Sequence, residues 1–186
     1  MMATPAPTPA AATVLALLDR LDRAIGLVCR GVVATTGVAL LAAITIGVIS
    51  RYVVTIGGVD WAEELPKQVF AWFIMAGVVL AVHGGNHIAV DVALNTMPER
   101  GRRVIVAATN ILVAVAYVVL ADTSREVASI AAAEINPILG TPGSLPFHAL
   151  TIGALLTALG TFSIGVRVAL LGSAAAPQGR PEDSVQ

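Results

Sequence analysis

Four stretches of the chain contain no Asp, Glu, Lys, Arg or His: Gly31 to Ser50, Val69 to Val82, Val104 to Ala121 and Leu150 to Val166. Gly31 to Ser50 is 20 residues long. At ~1.5 Å per residue this crosses the ~30 Å hydrocarbon core of a bilayer. Extended to their flanking polar positions, the other runs predict spans from Trp61 to about His83, from Val104 to Ala121 and from Leu145 to Leu171. Each span must be helical, because a backbone polar group in lipid has no partner outside its own segment. The pattern therefore predicts an all-α integral membrane protein with four transmembrane helices.

The pattern changes on either side of these runs. Before the first span, Val14, Leu18, Leu21, Ile25 and Val28 recur at steps of four and three, while Asp19, Arg23 and Arg30 fall on another face. This spacing predicts an N-terminal amphipathic helix. It either lies along the cytoplasmic interface before the chain turns into the membrane, or simply extends span one. After the third span, helix-forming residues continue to about Glu134, until Pro137 stops them. Ile135 to Phe147, with Pro137, Gly140, Pro142, Gly143 and Pro146, is then a rigid loop on the outer side. Residues 1–12 and 173–186 read as disordered tails around a membrane domain over 13–172. The first twelve residues lack the positive charge of a secretory signal.

Composition agrees with this reading. Of 186 residues, 56% are hydrophobic and 12% charged, against about 25% charged in an ordinary soluble domain. A net charge of −1 argues against a nucleic-acid partner. Cys29 is the only cysteine, so no intrachain disulfide can form. The eleven Lys and Arg residues are unevenly placed. Arg20, Arg23, Arg30, Arg100, Arg102, Arg103, Arg167 and Arg180 fall on one side of the four spans, and Arg51, Lys67 and Arg125 on the other. The positive-inside rule then puts both termini and the Pro98–Arg103 loop in the cytoplasm.

The densest cluster of polar and aromatic residues runs from Arg51 to Asp91. Ser50-Arg51-Tyr52 closes span one, Trp61-Ala62-Glu63-Glu64-Leu65 opens span two, and Gly84-Gly85-Asn86-His87-Ile88-Ala89-Val90-Asp91 follows it. In this order, around an aromatic-rich span, the segments resemble the small membrane subunit of tripartite ATP-independent periplasmic (TRAP) transporters. The resemblance extends over Ala24 to about Leu171 as hydropathy and topology. It implies a multi-pass protein of the bacterial inner membrane, with both termini cytoplasmic. The sequence itself, with no nucleophile–base pair, phosphate loop or redox cysteine pair, predicts no catalytic activity and no cofactor. The resemblance further implies a large multi-span permease as partner, which holds the sodium and substrate sites and moves in an elevator-like manner. The small subunit would enlarge the static scaffold, and a periplasmic binding protein would deliver an organic acid, commonly a carboxylate or sulfonate. His83 and Ala89 stand where relatives often carry arginine, so no role of those charges carries over.

Read by their own chemistry, the same residues are structural or subunit-contact candidates. Asp60 and Glu63 form a capping-box pattern that starts span two at Trp61. Glu63 and Lys67 are spaced for an i, i+4 pair. Arg51 and Glu64 fall at the same outer interface, where an ion pair between them would clasp the hairpin of spans one and two or meet a partner subunit. Pro66 either kinks the first turns or marks a restart of the helix. Trp61 fits an aromatic belt. Trp72, near mid-depth, faces either the large subunit or lipid. His87 and Asp91 are four apart and read as a tie for the cytoplasmic turn. A metal held by His83 and His87 is disfavoured by Gly84 and Gly85 between them. Glycines and threonines in spans one and four predict close helix packing.

Two other functions were weighed against the same residues. A haem-carrying anchor of a redox complex needs paired histidines at matching depth, yet His83 and His87 lie at one end of the spans and His148 at the other. An autonomous small dimeric exporter needs an acid within a span, and Glu63 and Glu64 sit at an edge. The described pattern leaves only Thr, Ser and Asn side chains at mid-depth, which favours a subunit that supports another protein's transport.

Overall fold

In a computed structural model, four long helices carry the chain; residues 9–54, 59–84 and 99–171 are described. Helix α1 spans Pro9–Ile49 and passes into a single π-helical turn, Ser50–Val54. Helices α2, α3 and α4 span Trp61–His83, Glu99–Ala131 and Leu145–Leu171. All four are long and apolar enough to cross a membrane.

Several boundaries depart from the sequence-based expectation. Helix α1 is one uninterrupted element of 41 residues, about 60 Å long. The amphipathic stretch is therefore the extension of span one and not a separate helix. Gly26 and Gly31 do not break it, since a glycine costs a helix only about 1 kcal/mol. Residues 9–12, expected in a tail, form its first turn; residues 1–8 and 172–186 lie outside the described residues. Arg102 and Arg103, expected in a loop, belong to the opening turns of α3, because arginine is a good helix former and its stem lies along an apolar surface. Arg103 donates to the Ala169 carbonyl of α4. Helix α3 ends at Ala131, short of the expected Glu134. The chain then closes a tight loop in which Gly143 N–H donates to Glu134 O (2.8 Å) and Asn136 N–H to Thr141 O (2.9 Å). Gly140 takes the turn with φ of 65°, a left-handed conformation that glycine adopts without strain.

The helices form a row and do not surround a common centre. Helix α1 packs on α2, α2 on α4, and α4 on α3. Of the two interior members α4 is the more enclosed: 56% of its most apolar stretch is buried, against 17% for α2 and 11% for α1 and α3. Its sequence permits this because small residues cover several faces. A Cβ added at Gly153 would lie 2.6 Å from Met75 Cβ, so only glycine admits α2 at that distance. The buried hydroxyls of Thr157 and Thr161 donate to the Gly153 and Thr157 carbonyls, 2.8 and 3.0 Å away, and so enter the core already satisfied. Cys29, Ala76 and Val79 form the α1–α2 core, and Met75, Ala121 and Ala154 join α2, α3 and α4.

Candidate functional site

Most charged side chains of the described residues gather toward the two ends of this row. At the Trp61 end, the π-helical turn carries Arg51 toward the first turn of α2, where it pairs with Glu63. The expected partner, Glu64, instead binds Lys67 Nζ at 2.5 Å and accepts from Asn136 Nδ2 at 2.9 Å. Consecutive residues on a helix point about 100° apart. Glu63 therefore faces the end of α1, and Glu64 faces the loop before α4. The expected Glu63–Lys67 pair is replaced for the same reason. The capping box is not formed either. Asp60 makes no side-chain cap, and the first turn of α2 closes through Glu63 and Glu64 N–H donating to Asp60 O. Pro66 sits inside α2 without interrupting it.

Asn136 ties this end together. Its Oδ1 accepts from the backbone N–H groups of Ile138 and Leu139, at 3.0 and 2.9 Å, while its Nδ2 reaches Glu64. A groove of about 320 Å3 runs between α1 and α2 below Arg51 and Glu63, past Gly47, Ala62 and Pro66. Trp61 is exposed, as a belt residue would be, and Trp72 is half-buried. His87 and Asp91 lie outside the described residues.

The opposite end holds a more enclosed cluster. Arg167 of α4 binds Asp19 Oδ1 through Nη1 and Asp22 Oδ2 through Nη2, both at 2.5 Å. Ser163 Oγ donates to Asp22 Oδ2 at 3.2 Å and accepts from Arg167 Nε at 3.3 Å. From α2, His83 completes the group. Its Nδ1 donates to the Val79 carbonyl at 2.8 Å, and its buried Nε2 lies 3.4 Å from Asp22 Oδ1 without a hydrogen bond. The imidazole fits because α4 has Gly160 there; a Cβ would come within 2.7 Å of His83 Cε1. Asp19, Asp22, Arg23, Arg30, His83 and Arg167 also line a cavity of about 910 Å3 between α1, α2 and α4.

The sequence reading missed this cluster. It counted Arg167 among charges that set orientation, and Asp19 as part of a polar face. The available signal was Arg167's isolation at the end of an otherwise uncharged span. A charge so placed needs a partner on a neighbouring helix, and Asp19 and Asp22, three apart, offer two carboxylates on one face. Among the described residues, no three His, Cys, Asp or Glu side chains come together as a metal site. His148 lies at the start of α4, twelve residues before Gly160 and so about 18 Å from the level of His83.

Residues 40–170 match the family model of tripartite ATP-independent periplasmic transporters, DctQ component. An uncharacterized protein of Sinorhizobium fredii is 37% identical over 156 residues, which are 84% of this chain and 29% of that protein. Two Haemophilus influenzae proteins described as TRAP transporter small permease proteins are 26% and 23% identical. Those matches cover 53% and 73% of this chain and 59% and 81% of the relatives. The chain thus spans less than a third of the first relative and about three fifths of the second. No solved structure matches it significantly. The family match covers most of the chain and all but the first part of the helical row, and the protein belongs to the DctQ component family of tripartite ATP-independent periplasmic transporters.

Proposed function

We propose that this inner-membrane protein is the non-catalytic small subunit of a TRAP transporter and forms a fixed scaffold for a large permease. In this reading the permease moves an organic acid with sodium, a periplasmic binding protein delivers it, and the arginine-rich end of the row faces the cytoplasm. The observation that carries the proposal is the segregation of charge. No charge is buried in the middle layer of Met75, Val79, Ala121 and Ala154: most described charged side chains lie toward the two ends, and the Asp122–Arg125 pair beside Ala121 is exposed on the outside of α3. Carrying a charged solute across would require groups at mid-depth to replace its water. The Sinorhizobium relative supports a neighbour in the same complex, because its matched region is part of a chain more than three times as long.

Reconstitution tests this directly. Vesicles with an imposed sodium gradient would contain the large permease, with or without this chain, and a binding protein loaded with a carboxylate or sulfonate. Uptake should require both membrane subunits, and the two should co-purify at one-to-one ratio. Undiminished uptake by the permease alone would refute a scaffold role, and uptake by this chain alone would replace it with an autonomous carrier.

A further inference from the structure

The cavity at the arginine-rich end has a mixed lining that the scaffold role does not use. Leu27, Leu80 and Ile164 form apolar wall, and Arg23, Arg30 and Arg167 bring three guanidinium groups to the same space. These cations are not equivalent. Arg167 is held by Asp19 and Asp22, whose two carboxylates outweigh its single charge, so it offers no positive charge to the cavity and only Arg23 and Arg30 do. Arg23 uses only Nε, on the Asp19 carbonyl 3.2 Å away, and Arg30 has no hydrogen bond or ion pair among the described residues. Two positive forks therefore border a cavity of about 910 Å3 with apolar wall on one side and the Asp19, Asp22 and Arg167 cluster on the other, within the ~300–1,000 Å3 range of ligand sites. In a membrane, a space of this kind beside α1 meets the boundary between acyl chains and headgroups. Arginine recognises phosphate oxygens with two parallel hydrogen bonds.

We infer that this cavity binds the phosphate headgroup of an anionic phospholipid, with Arg23 and Arg30 holding the phosphate and Leu27, Leu80 and Ile164 contacting its glycerol and upper acyl segments. The apolar wall is what favours a lipid over a free anion. The bound lipid would fill the wedge between α1 and α4, which meet chiefly through the Asp19, Asp22 and Arg167 cluster.

The glycines supply a clean test. Gly26 lines the cavity, and a Cβ placed there meets nothing within 4 Å. Gly26→Phe therefore fills the space without displacing protein atoms at its base and leaves every arginine in place. Arg23→Gln/Arg30→Gln removes the two cations and spares the Arg167 cluster. Arg20→Gln removes an exposed arginine on the same helix outside the cavity lining. The full-length protein, stripped of lipid in detergent, would be titrated with phosphatidylglycerol and read by native mass spectrometry. The inference predicts saturable one-to-one binding, lost in Gly26→Phe and weakened roughly thirtyfold in the double variant, with Arg20→Gln like wild type. Binding by Gly26→Phe equal to wild type would overturn it, as would an equal loss in Arg20→Gln. Complete displacement of the lipid by millimolar inorganic phosphate would also overturn it, by making the ligand a free anion.

Discussion

The two polar ends of this helix row are built from the same residue types and differ in how they hold them. At the Trp61 end, Arg51 and Glu63 form a pair whose side chains are 60% and 55% exposed. At the arginine-rich end, the Arg167 side chain is 20% exposed and Asp22 25%, and three helices converge on one carboxylate. An exposed pair loses most of its attraction to solvent and salt, so its net value is ~0–1 kcal/mol. An enclosed one is costly to break, because the remaining charge keeps its desolvation without its partner. The pairs at the Trp61 end therefore trim the surface, while the Arg167 cluster determines whether α1 and α4 stay together.

Removing the arginine tests this contrast most severely. Arg167→Ala leaves Asp19 and Asp22 facing each other and His83 beside an uncompensated carboxylate. Because Asp19 is half-exposed, we expect a loss of about 3 kcal/mol, at the low end for a broken buried pair. Denaturant unfolding in detergent would measure it. A loss no larger than that of Arg51→Ala would remove the distinction between the two ends.

Glycine substitutions sharpen the comparison through packing alone. At Gly160 a Cβ falls 2.7 Å from His83 Cε1, whereas at Gly47 it falls 3.8 Å from Ala62 Cβ, an ordinary contact. Gly160→Ala should cost about 1–3 kcal/mol through overpacking. Gly47→Ala should be neutral or stabilise by up to about 1 kcal/mol through helix propensity. Opposite signs in thermal unfolding would show that the arginine-rich end is the tighter one. Asn136→Ala comes next, at about 1–2 kcal/mol, since it leaves two loop N–H groups without their acceptor.

The two ends also differ in how far the sequence revealed them. The four spans were legible because uncharged runs of this length have few alternatives, and α4's central place is consistent with its Gly153, Thr157, Gly160 and Thr161. Arg51, Glu63, Glu64 and Lys67 were correctly brought to one end, since helix lengths set depth. Their pairing was misassigned by a single residue. Depth follows from counting along the helix, but partner choice follows from rotation, and Glu63 and Glu64 differ by about 100° in that respect. The Arg167 cluster was harder to see, because Asp22 and Arg167 are 145 residues apart. Only the order of helices in the row, with α4 beside α2 and reaching α1, makes them neighbours.

That one-residue distinction yields the smallest effect and the sharpest test of the Trp61 end. Double-mutant cycles would combine Arg51→Ala with Glu63→Gln and, separately, with Glu64→Gln. The Arg51–Glu63 coupling should be about 0.2–1 kcal/mol at low salt, as for exposed pairs, and should fade as ionic strength rises. The Arg51–Glu64 cycle should show no coupling, because Glu64 is committed to Lys67 and Asn136. Coupling of Arg51 to Glu64 instead would mean that α2 is rotated from the orientation described. In that case Glu64 could not reach Asn136, and the cost of Asn136→Ala would come from its loop hydrogen bonds alone.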